Sequence, residues 1–206
     1  MNKNIELYNK HFVQSNREML DLFHLLKVEY NITSVVYPGS FVHISPALIF
    51  PVAAFIDNDR RVDKFFTDTE VRAMVEQRKE YKKECEIQSF QQDYDDETTL
   101  TDGSFDLMIS LYAGFISQSC KKYLKKGGVL LVNNSHADAG LAFLDKDFAL
   151  VAVVNRVGES WQISKESLNA YFIPKKQGVI SKDELLATMK GIQYTKTASL
   201  YLFKKL

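Results

Sequence analysis

Residues 34–57, which read SVVYPGSFVHISPALIFPVAAFID, decide the fold of this 206-residue chain. The pattern predicts a buried strand at Ser34–Tyr37, a tight turn, a short helix, and a second buried strand at Val52–Ile56 that ends in Asp57. An apolar run of this kind is typical of a central parallel strand that is covered on both faces. Ser45-Pro46 predicts the helix start, with a hydroxyl as N-cap and proline at the first helical position.

Gly39 in the turn and Asp57 at the end of the second strand lie 18 positions apart. Rossmann-type folds place a ligand-binding turn and a ribose-binding acid roughly 20 residues apart. The spacing therefore favours a ligand that contains adenosine, although it does not choose the ligand.

The rest of the chain alternates between helical and extended patterns. Helical periodicity covers residues 4–28 and 60–82. Further helices are predicted at residues 117–126, closing on Gly127-Gly128, at residues 138–146, and from a capping box at Ser181–Glu184 to Gly191. Further strands are predicted at Glu86–Phe90, Phe105–Ser110, Val129–Val132, Phe148–Val157 and Ser199–Phe203. Residues 160–176 form an insertion to which the sequence assigns no structure.

This alternation predicts an α/β fold with a doubly wound, mostly parallel sheet. In such sheets the ligand lies beyond the carboxyl ends of the strands, so the loops that follow successive strands converge. We predict an N-terminal helical cap at residues 1–32 and a Rossmann-like domain at residues 33–206.

The composition narrows the classes of partner. Lys+Arg and Asp+Glu both number 26, so no overall basic field would attract nucleic acid. No apolar run approaches 18 residues and no signal peptide is recognisable, so we expect no membrane and a cytoplasmic location. The two cysteines, Cys85 and Cys120, are too isolated to form a metal or redox motif. Nothing in the sequence indicates the oligomeric state.

Two segments resemble the class I S-adenosylmethionine-dependent methyltransferases. DGSFDLMIS at residues 102–110 is similar to the family's fourth strand, and YLKKGGVLLV at residues 123–132 is similar to its helix-Gly-Gly-fifth-strand segment. The resemblance runs from Ser34 to Phe203 and implies a seven-stranded sheet with an antiparallel last strand. The family's first motif is usually acid-x-Gly-x-Gly-x-Gly, whereas here only Gly39 is in place. The Tyr-Pro-Gly-Ser turn therefore resembles a divergent branch.

The resemblance implies that S-adenosylmethionine is the cofactor. The turn would approach its methionine part, with glycine at position 39 because a side chain would hold the backbone away. Asp57 would bind the ribose hydroxyls, and Asp93 with Tyr94 would lie by the adenine. The implied cofactor-binding residues are Tyr37, Pro38, Gly39, Ser40, Asp57, Asp93, Tyr94, Ser110 and Leu111. Each of three residues has an alternative role: Asp57 could cap the following helix, Gly39 could be an ordinary turn glycine, and Asp93 could lie in a solvated acidic loop.

The candidate catalytic residues follow the fourth and fifth strands. Methyl transfer requires alignment of the acceptor and, for some acceptors, removal of a proton. His136 would act as a base or orient the acceptor, and Tyr112 would form a wall of the acceptor pocket. Tyr8 and His11 would close over the site as a lid. A surface or capping role for His136, and a packing role for Tyr112, remain open.

The acceptor is inferred by elimination. The fourth strand ends without the Asn/Asp-Pro-Pro-aromatic sequence used on amino nitrogens, and Asn133-Asn134 lacks the matching aspartate of a metal-assisted site. A small-molecule acceptor remains, with no metal. One alternative is a catalytically degenerate protein that binds S-adenosylmethionine or another nucleoside, or acts through protein partners. A nicotinamide-dependent oxidoreductase ranks last, because only one glycine of its Gly-x-Gly-x-x-Gly turn is present.

Overall fold

The computed structural model describes residues 2–176, 181–190 and 192–206. The chain divides into two compact units, Met1–Thr99 and Leu100–Leu206. This division rests on compactness alone, so the boundary between residues 32 and 33 stays a prediction.

The first unit contains a parallel sheet in the order β3-β2-β1. Ser34 of β1 lies opposite Val52 of β2, and Val52 lies opposite Glu86 of β3. Its strands are β1 (Ser34–Pro38), β2 (Val52–Ile56) and β3 (Glu86–Phe90). Its helices are α1 (Lys3–Tyr8), continued by a π-helical turn (Asn9–Val13), α2 (Leu20–Tyr30), α3 (Pro46–Ile49), α4 (Val62–Phe66) and α5 (Thr69–Arg78). The three strands confirm the sequence prediction to within one residue.

One local prediction in this unit is wrong in part. Helix α3 begins at Pro46 with Ser45 in the N-cap position, as predicted, but the Ser45 hydroxyl is hydrogen-bonded to Tyr8 and makes no cap hydrogen bond. The helical pattern at residues 60–82 forms two helices, α4 and α5. Asp68 starts α5 by accepting hydrogen bonds from the N–H groups of Glu70 (2.8 Å) and Val71 (3.4 Å), which separates α5 from α4.

The second unit contains a mixed sheet in the order β4-β5-β8-β6-β7. The β4–β5 pair is parallel, and the other three pairs are antiparallel. Its strands are β4 (Phe105–Ser110), β5 (Leu124–Val132), β6 (Phe148–Val157), β7 (Ser160–Ser164) and β8 (Leu200–Lys205). Its helices are α6 (Ile116–Ser119), α7 (Asp138–Leu144) and α8 (Lys182–Thr188), with 3-10 turns at Lys121–Tyr123 and Leu168–Ala170.

The predicted helix at residues 117–126 is wrong. Helix α6 ends at Ser119, and β5 begins at Leu124 and includes the Gly127-Gly128 pair. The register of β4 and β5 shifts between Phe105 and Leu107, and Gly127 has φ +81°. The two glycines therefore lie in an irregular part of the strand. Gly127 there has the left-handed backbone that glycine also adopts at the end of a helix.

The segment at residues 160–176 supplies an eighth strand, one more than the family resemblance implies. Strand β7 returns beside β6 as an antiparallel hairpin, with Gly158 at φ +62° in the turn. Ser181 caps α8 by accepting the Glu184 N–H (3.4 Å), as the capping box predicts. The predicted stop at Gly191 lies outside the described residues.

The α/β class is confirmed, with parallel strands in both units and antiparallel pairing around β8. Within the described residues, none of the helices combines the length and apolar character needed to cross a membrane.

Candidate functional site

The turn after β1 holds the backbone conformation that glycine favours. Gly39 has φ +68°, and its N–H donates to the Ile56 carbonyl at the end of β2 (2.7 Å). The left-handed region carries little penalty for glycine, because glycine has no Cβ. The neighbouring Tyr37, Pro38 and Ser40 are buried, so this part of the loop presents Gly39 as its half-exposed residue.

Asp57 ties the loops that follow β1 and β2 together. Its Oδ2 accepts the Phe41 N–H (2.7 Å), and its Oδ1 accepts the Asp59 N–H (2.8 Å). Helix α4 begins only at Val62 and has no side-chain cap, so the alternative of Asp57 as a helix cap is wrong. Each carboxylate oxygen retains a further acceptor position, and the side chain is half-buried.

Asp93 and Tyr94, after β3, lie next to the Asp57 loop. The Asn58 amide donates to Asp93 Oδ2 (3.4 Å), and the Asp95 N–H donates to Asp93 Oδ1 (3.0 Å). Asp93 and Tyr94 are both half-buried. The first unit thus brings the loops after its three strands together at one edge of the sheet.

A cation and two aromatic rings flank this edge. The Arg61 guanidinium carbon lies 4.5 Å from the centre of the Phe41 ring, and the His11 ring meets Phe41 edge-on at 5.4 Å. Arg61 also donates two hydrogen bonds to Asp59 (2.8 and 2.7 Å), which lower the pKa of that carboxyl to about 2. His11 therefore contacts the loop, as a lid residue would.

Tyr8 is not available as a lid. It is fully buried, and its hydroxyl donates to Glu18 and is hydrogen-bonded to Ser45 (2.9 Å). Arg78 completes the group with an ion pair to Glu18 (2.7 Å). Burial, with the Glu18 hydrogen bond, raises the pKa of Tyr8 well above its usual value.

His43 is buried and packs beneath the loop that follows β1. His43 stacks on Phe12 with ring centres 4.3 Å apart, and its ring nitrogens face the Tyr37 hydroxyl (3.4 Å) and the Glu18 carbonyl (3.3 Å). Burial lowers the pKa of His43 to about 4. The imidazole is therefore neutral near pH 7 and serves as packing.

In the second unit, Ser110 faces a buried carboxylate. Its Oγ donates to Asp138 Oδ2 (2.5 Å), while Ser117 donates its Oγ to Oδ1 (2.5 Å) and its N–H to both oxygens (3.1 Å). Asp138 is 2% exposed, and burial raises its pKa to about 6 despite these hydrogen bonds. The Ser110 hydroxyl is therefore engaged within the unit, and Leu111 beside it is buried.

Asn133 contacts the backbone of Tyr112 directly and reaches His136 through Ser135. Its side-chain oxygen accepts the Tyr112 N–H (3.4 Å) and the Ser135 hydroxyl (2.9 Å), and Ser135 Oγ lies 3.0 Å from His136 Nδ1. Tyr112 has φ +61° and is 74% exposed, which the packing alternative does not explain. The structure thus brings the ends of β4 and β5 together.

Sequence reasoning missed several groups because their partners are distant in the chain. Ser117 and Ser110, which donate hydrogen bonds to the Asp138 carboxylate, lie 21 and 28 residues away in the chain. Near the same loop is an open pocket of about 500 Å³ whose lining includes Asn134, Ser135, Lys175, Lys190 and Tyr194. No local motif marked these residues. In the described residues, no three His, Cys, Asp or Glu side chains are grouped as a metal site.

Comparison with protein-family models gave no match, and comparison with curated protein sequences gave none. Among solved structures, the chain is similar to a chain of the complex between the Haloferax volcanii Trm112 methyltransferase activator and a candidate methyltransferase. The identity is 15%, the TM-score is 0.51, and the match covers 97% of this chain and 94% of that one. The chain has a class I methyltransferase fold.

Two further structures are similar at lower TM-scores. A methyltransferase from Geobacter sulfurreducens has 14% identity, a TM-score of 0.49, and coverage of 78% of this chain and 86% of that one. A candidate S-adenosyl-L-methionine-dependent methyltransferase from Methanococcus maripaludis has 18% identity and a TM-score of 0.46. The match covers 65% of this chain and 62% of that one. The chain thus spans less than two thirds of the Methanococcus protein. At 15% identity, the match to the Haloferax structure establishes the fold.

Proposed function

We propose that this protein is an S-adenosylmethionine-dependent methyltransferase with a small-molecule acceptor, a divergent branch of class I that uses a Tyr-Pro-Gly-Ser first motif. The observation that carries the proposal is the hydrogen bond from the Phe41 N–H to Asp57 Oδ2 (2.7 Å). It sets a half-buried carboxylate beside a left-handed glycine at the carboxyl ends of parallel strands. The shared fold supports the proposal, which includes a cytoplasmic location and no nucleic-acid substrate.

The residues at this edge fit an adenosine-bearing cofactor. Asp57 has acceptor positions left for two ribose hydroxyls after its two backbone hydrogen bonds. Asp93 would accept a hydrogen bond from the adenine amine, with Tyr94 beside it. Tyr37, Pro38 and Ser40 are buried, so the turn would meet the methionine part mainly through its backbone at Gly39. When bound, S-adenosylmethionine supplies a methyl group on a sulfonium that already carries its leaving group.

The hydrogen bonds around His136 suit a base. The single Ser135 hydroxyl proton is directed to Asn133, so His136 Nδ1–H donates to Ser135 Oγ. This tautomer leaves His136 Nε2 with a lone pair that can accept a proton from an acceptor hydroxyl or amine. The exposed Tyr112 ring would form a wall for that acceptor, and the buried Leu111 would support the wall.

A catalytically degenerate protein of the same fold is the second candidate. Its support is the loop after β1, where Gly39 alone stands for the glycines of the family's first motif and α3 has only four residues. Such a protein would bind S-adenosylmethionine or another nucleoside, or act through protein partners. The Haloferax structure is a complex with an activator protein, which makes a protein partner a reasonable part of this alternative.

Titration calorimetry with S-adenosylmethionine and S-adenosylhomocysteine tests cofactor binding, and turnover with an acceptor separates an enzyme from a degenerate protein that still binds the cofactor. We expect micromolar binding by the wild-type protein and a loss of at least about tenfold, or 1.4 kcal/mol, in Asp57→Ala. The matched control is Asp63→Ala, which removes an exposed carboxylate on α4 and should bind as the wild type does. Absence of binding by folded wild-type protein would overturn the proposal in favour of the alternative.

A further inference from the structure

The 500 Å³ pocket of the second unit has a strongly one-sided charge. Among the described residues, its lining includes Lys175 and Lys190 and contains no aspartate or glutamate. Over the described parts of the chain, neither lysine forms an ion pair with a carboxylate. The pocket therefore carries two positive charges that no lining residue neutralises.

Two further polar residues, Tyr194 and Asn134, belong to the same lining. Tyr194 is 1% exposed, and its buried hydroxyl has no hydrogen-bond partner among residues 2–176, 181–190 and 192–206. Burial raises its pKa to about 12, so the hydroxyl keeps its proton near pH 7. Asn134 Oδ1 accepts the Gly140 N–H (3.3 Å), which leaves its amide NH₂ as a donor.

The Tyr194 hydroxyl and the Asn134 side chain both lie near Gly140 of α7. A Cβ built on Gly140 would stand 2.9 Å from the Tyr194 hydroxyl oxygen and 3.8 Å from Asn134 Oδ1. The described lining combines two lysines with an amide NH₂ and contains no aspartate or glutamate, which suits an anion. The volume lies within the range of small-molecule sites.

We propose that this pocket binds a small organic anion through a carboxylate or phosphate group, and that this anion is the acceptor of the methyl group. A hydroxyl or amine of the anion would form the new bond to the methyl carbon while the bond from that carbon to the sulfonium breaks and S-adenosylhomocysteine leaves. The proton of that hydroxyl or amine would pass to His136 Nε2. Ser135, which lines the pocket, contacts His136 Nδ1, so the anion would be held next to the candidate base. The second half of this inference rests on the proposed methyltransferase function, and the first half does not. Lysine binds both anion types as a point charge, so carboxylate and phosphate are separated by experiment.

The test is amide-detected NMR titration of the full chain with benzoate and phenyl phosphate. Benzamide, which has nearly the shape of benzoate without its charge, is the matched neutral probe. We expect saturable shifts at Asn134, Ser135 and Gln193 with at least one anion, and binding about tenfold weaker for benzamide. Stronger binding of benzoate identifies a carboxylate ligand, and stronger binding of phenyl phosphate identifies a phosphate ligand.

A pair of double variants separates the pocket from general surface charge. Lys175→Gln/Lys190→Gln should weaken anion binding at least about tenfold. Lys176→Gln/Lys182→Gln removes the same charge from exposed lysines outside the lining and should leave binding within about twofold of the wild type. Equal losses in both double variants, equal binding of benzamide, or no saturable shift at these amides would overturn the proposal.

These titrations contain no S-adenosylmethionine, so the two proposals fail separately. Anion binding without cofactor binding would retain the pocket and remove its assignment as the acceptor site. Cofactor binding without anion binding would retain the methyltransferase proposal and overturn the anion pocket.

Discussion

Asp57 in the first unit and Asp138 in the second are both carboxylates beside a strand end or a helix start, and both accept backbone N–H groups. Asp57 is half-buried and accepts two hydrogen bonds, which leaves acceptor positions for a ligand. Asp138 is 2% exposed and is surrounded by the donors of Ser110 and Ser117. The carboxylate thus keeps open acceptor positions at a loop edge in one unit and is enclosed by hydrogen-bond donors in the other.

The largest effect expected from this difference concerns pH. His43 is the buried titratable group near the first site, and its folded pKa of about 4 lies below the ordinary 6.5. The folded state therefore binds fewer protons than the unfolded state, and His43 makes stability fall as the pH drops from 6.5 to 4. Asp138 has a folded pKa of about 6, above the ordinary 3.8, so it makes stability rise as the pH drops from 6 to 3.8.

Each contribution is on the order of 3 kcal/mol, and the two oppose each other in nearly the same window. We expect Asp138→Asn to lose stability on acidification more steeply than the wild type, and His43→Gln to lose it less steeply. Urea unfolding at several pH values across this window measures both. Parallel profiles for the three proteins would show that neither group has the perturbed pKa assigned to it.

A smaller effect is expected from the donors to Asp138. Ser117→Ala removes a hydroxyl that hydrogen-bonds a buried carboxylate, and we expect it to lower the free energy of unfolding by about 1.5–3 kcal/mol. Ser199→Ala, on an exposed serine of the same unit, should change it by less than about 0.5 kcal/mol. Equal effects would show that the closed cluster is not a special feature of the second unit.

The smallest effect concerns another buried polar group of the second unit, the Tyr194 hydroxyl. A Cβ on Gly140 would lie 2.9 Å from this oxygen and 3.1 Å from Leu185 Cδ1, so Gly140→Ala should destabilise the protein by about 1 kcal/mol. In a Tyr194→Phe background the oxygen is gone, and the helix preference for alanine should make the same change neutral or stabilising. A double-mutant cycle measures this coupling, and additive effects would contradict the described packing.

Elements with local signals were predictable, and those formed by distant contacts were not. The strands β1, β2 and β3 follow from apolar or alternating runs, and the loops after them follow from parallel topology. The Gly127-Gly128 pair was misread because a helix stop and a strand irregularity both use left-handed glycine. Strand β7 lies at the sheet edge, and its residues Ser160–Ser164 alternate between exposed and half-buried, which gives little apolar signal.

The candidate site also has a part that could be predicted from local signals and a part that could not. Gly39, Asp57 and Asp93 were identified by their positions at strand ends, and the structure brings their loops together. The engagement of Ser110 with Asp138, and the pocket at Lys175 and Lys190, depend on pairs far apart in sequence. No spacing rule reports such contacts.

The central claim is that the loop edge of the first unit, and not the closed cluster of the second, binds the nucleoside of S-adenosylmethionine. The most direct test is an amide NMR titration of the wild-type protein with S-adenosylhomocysteine. We expect saturable amide shifts at Gly39, Phe41 and Asp59, and no saturable amide shift at Ser117. A spectrum that does not change, or saturable shifts that leave these three amides unmoved, would contradict it.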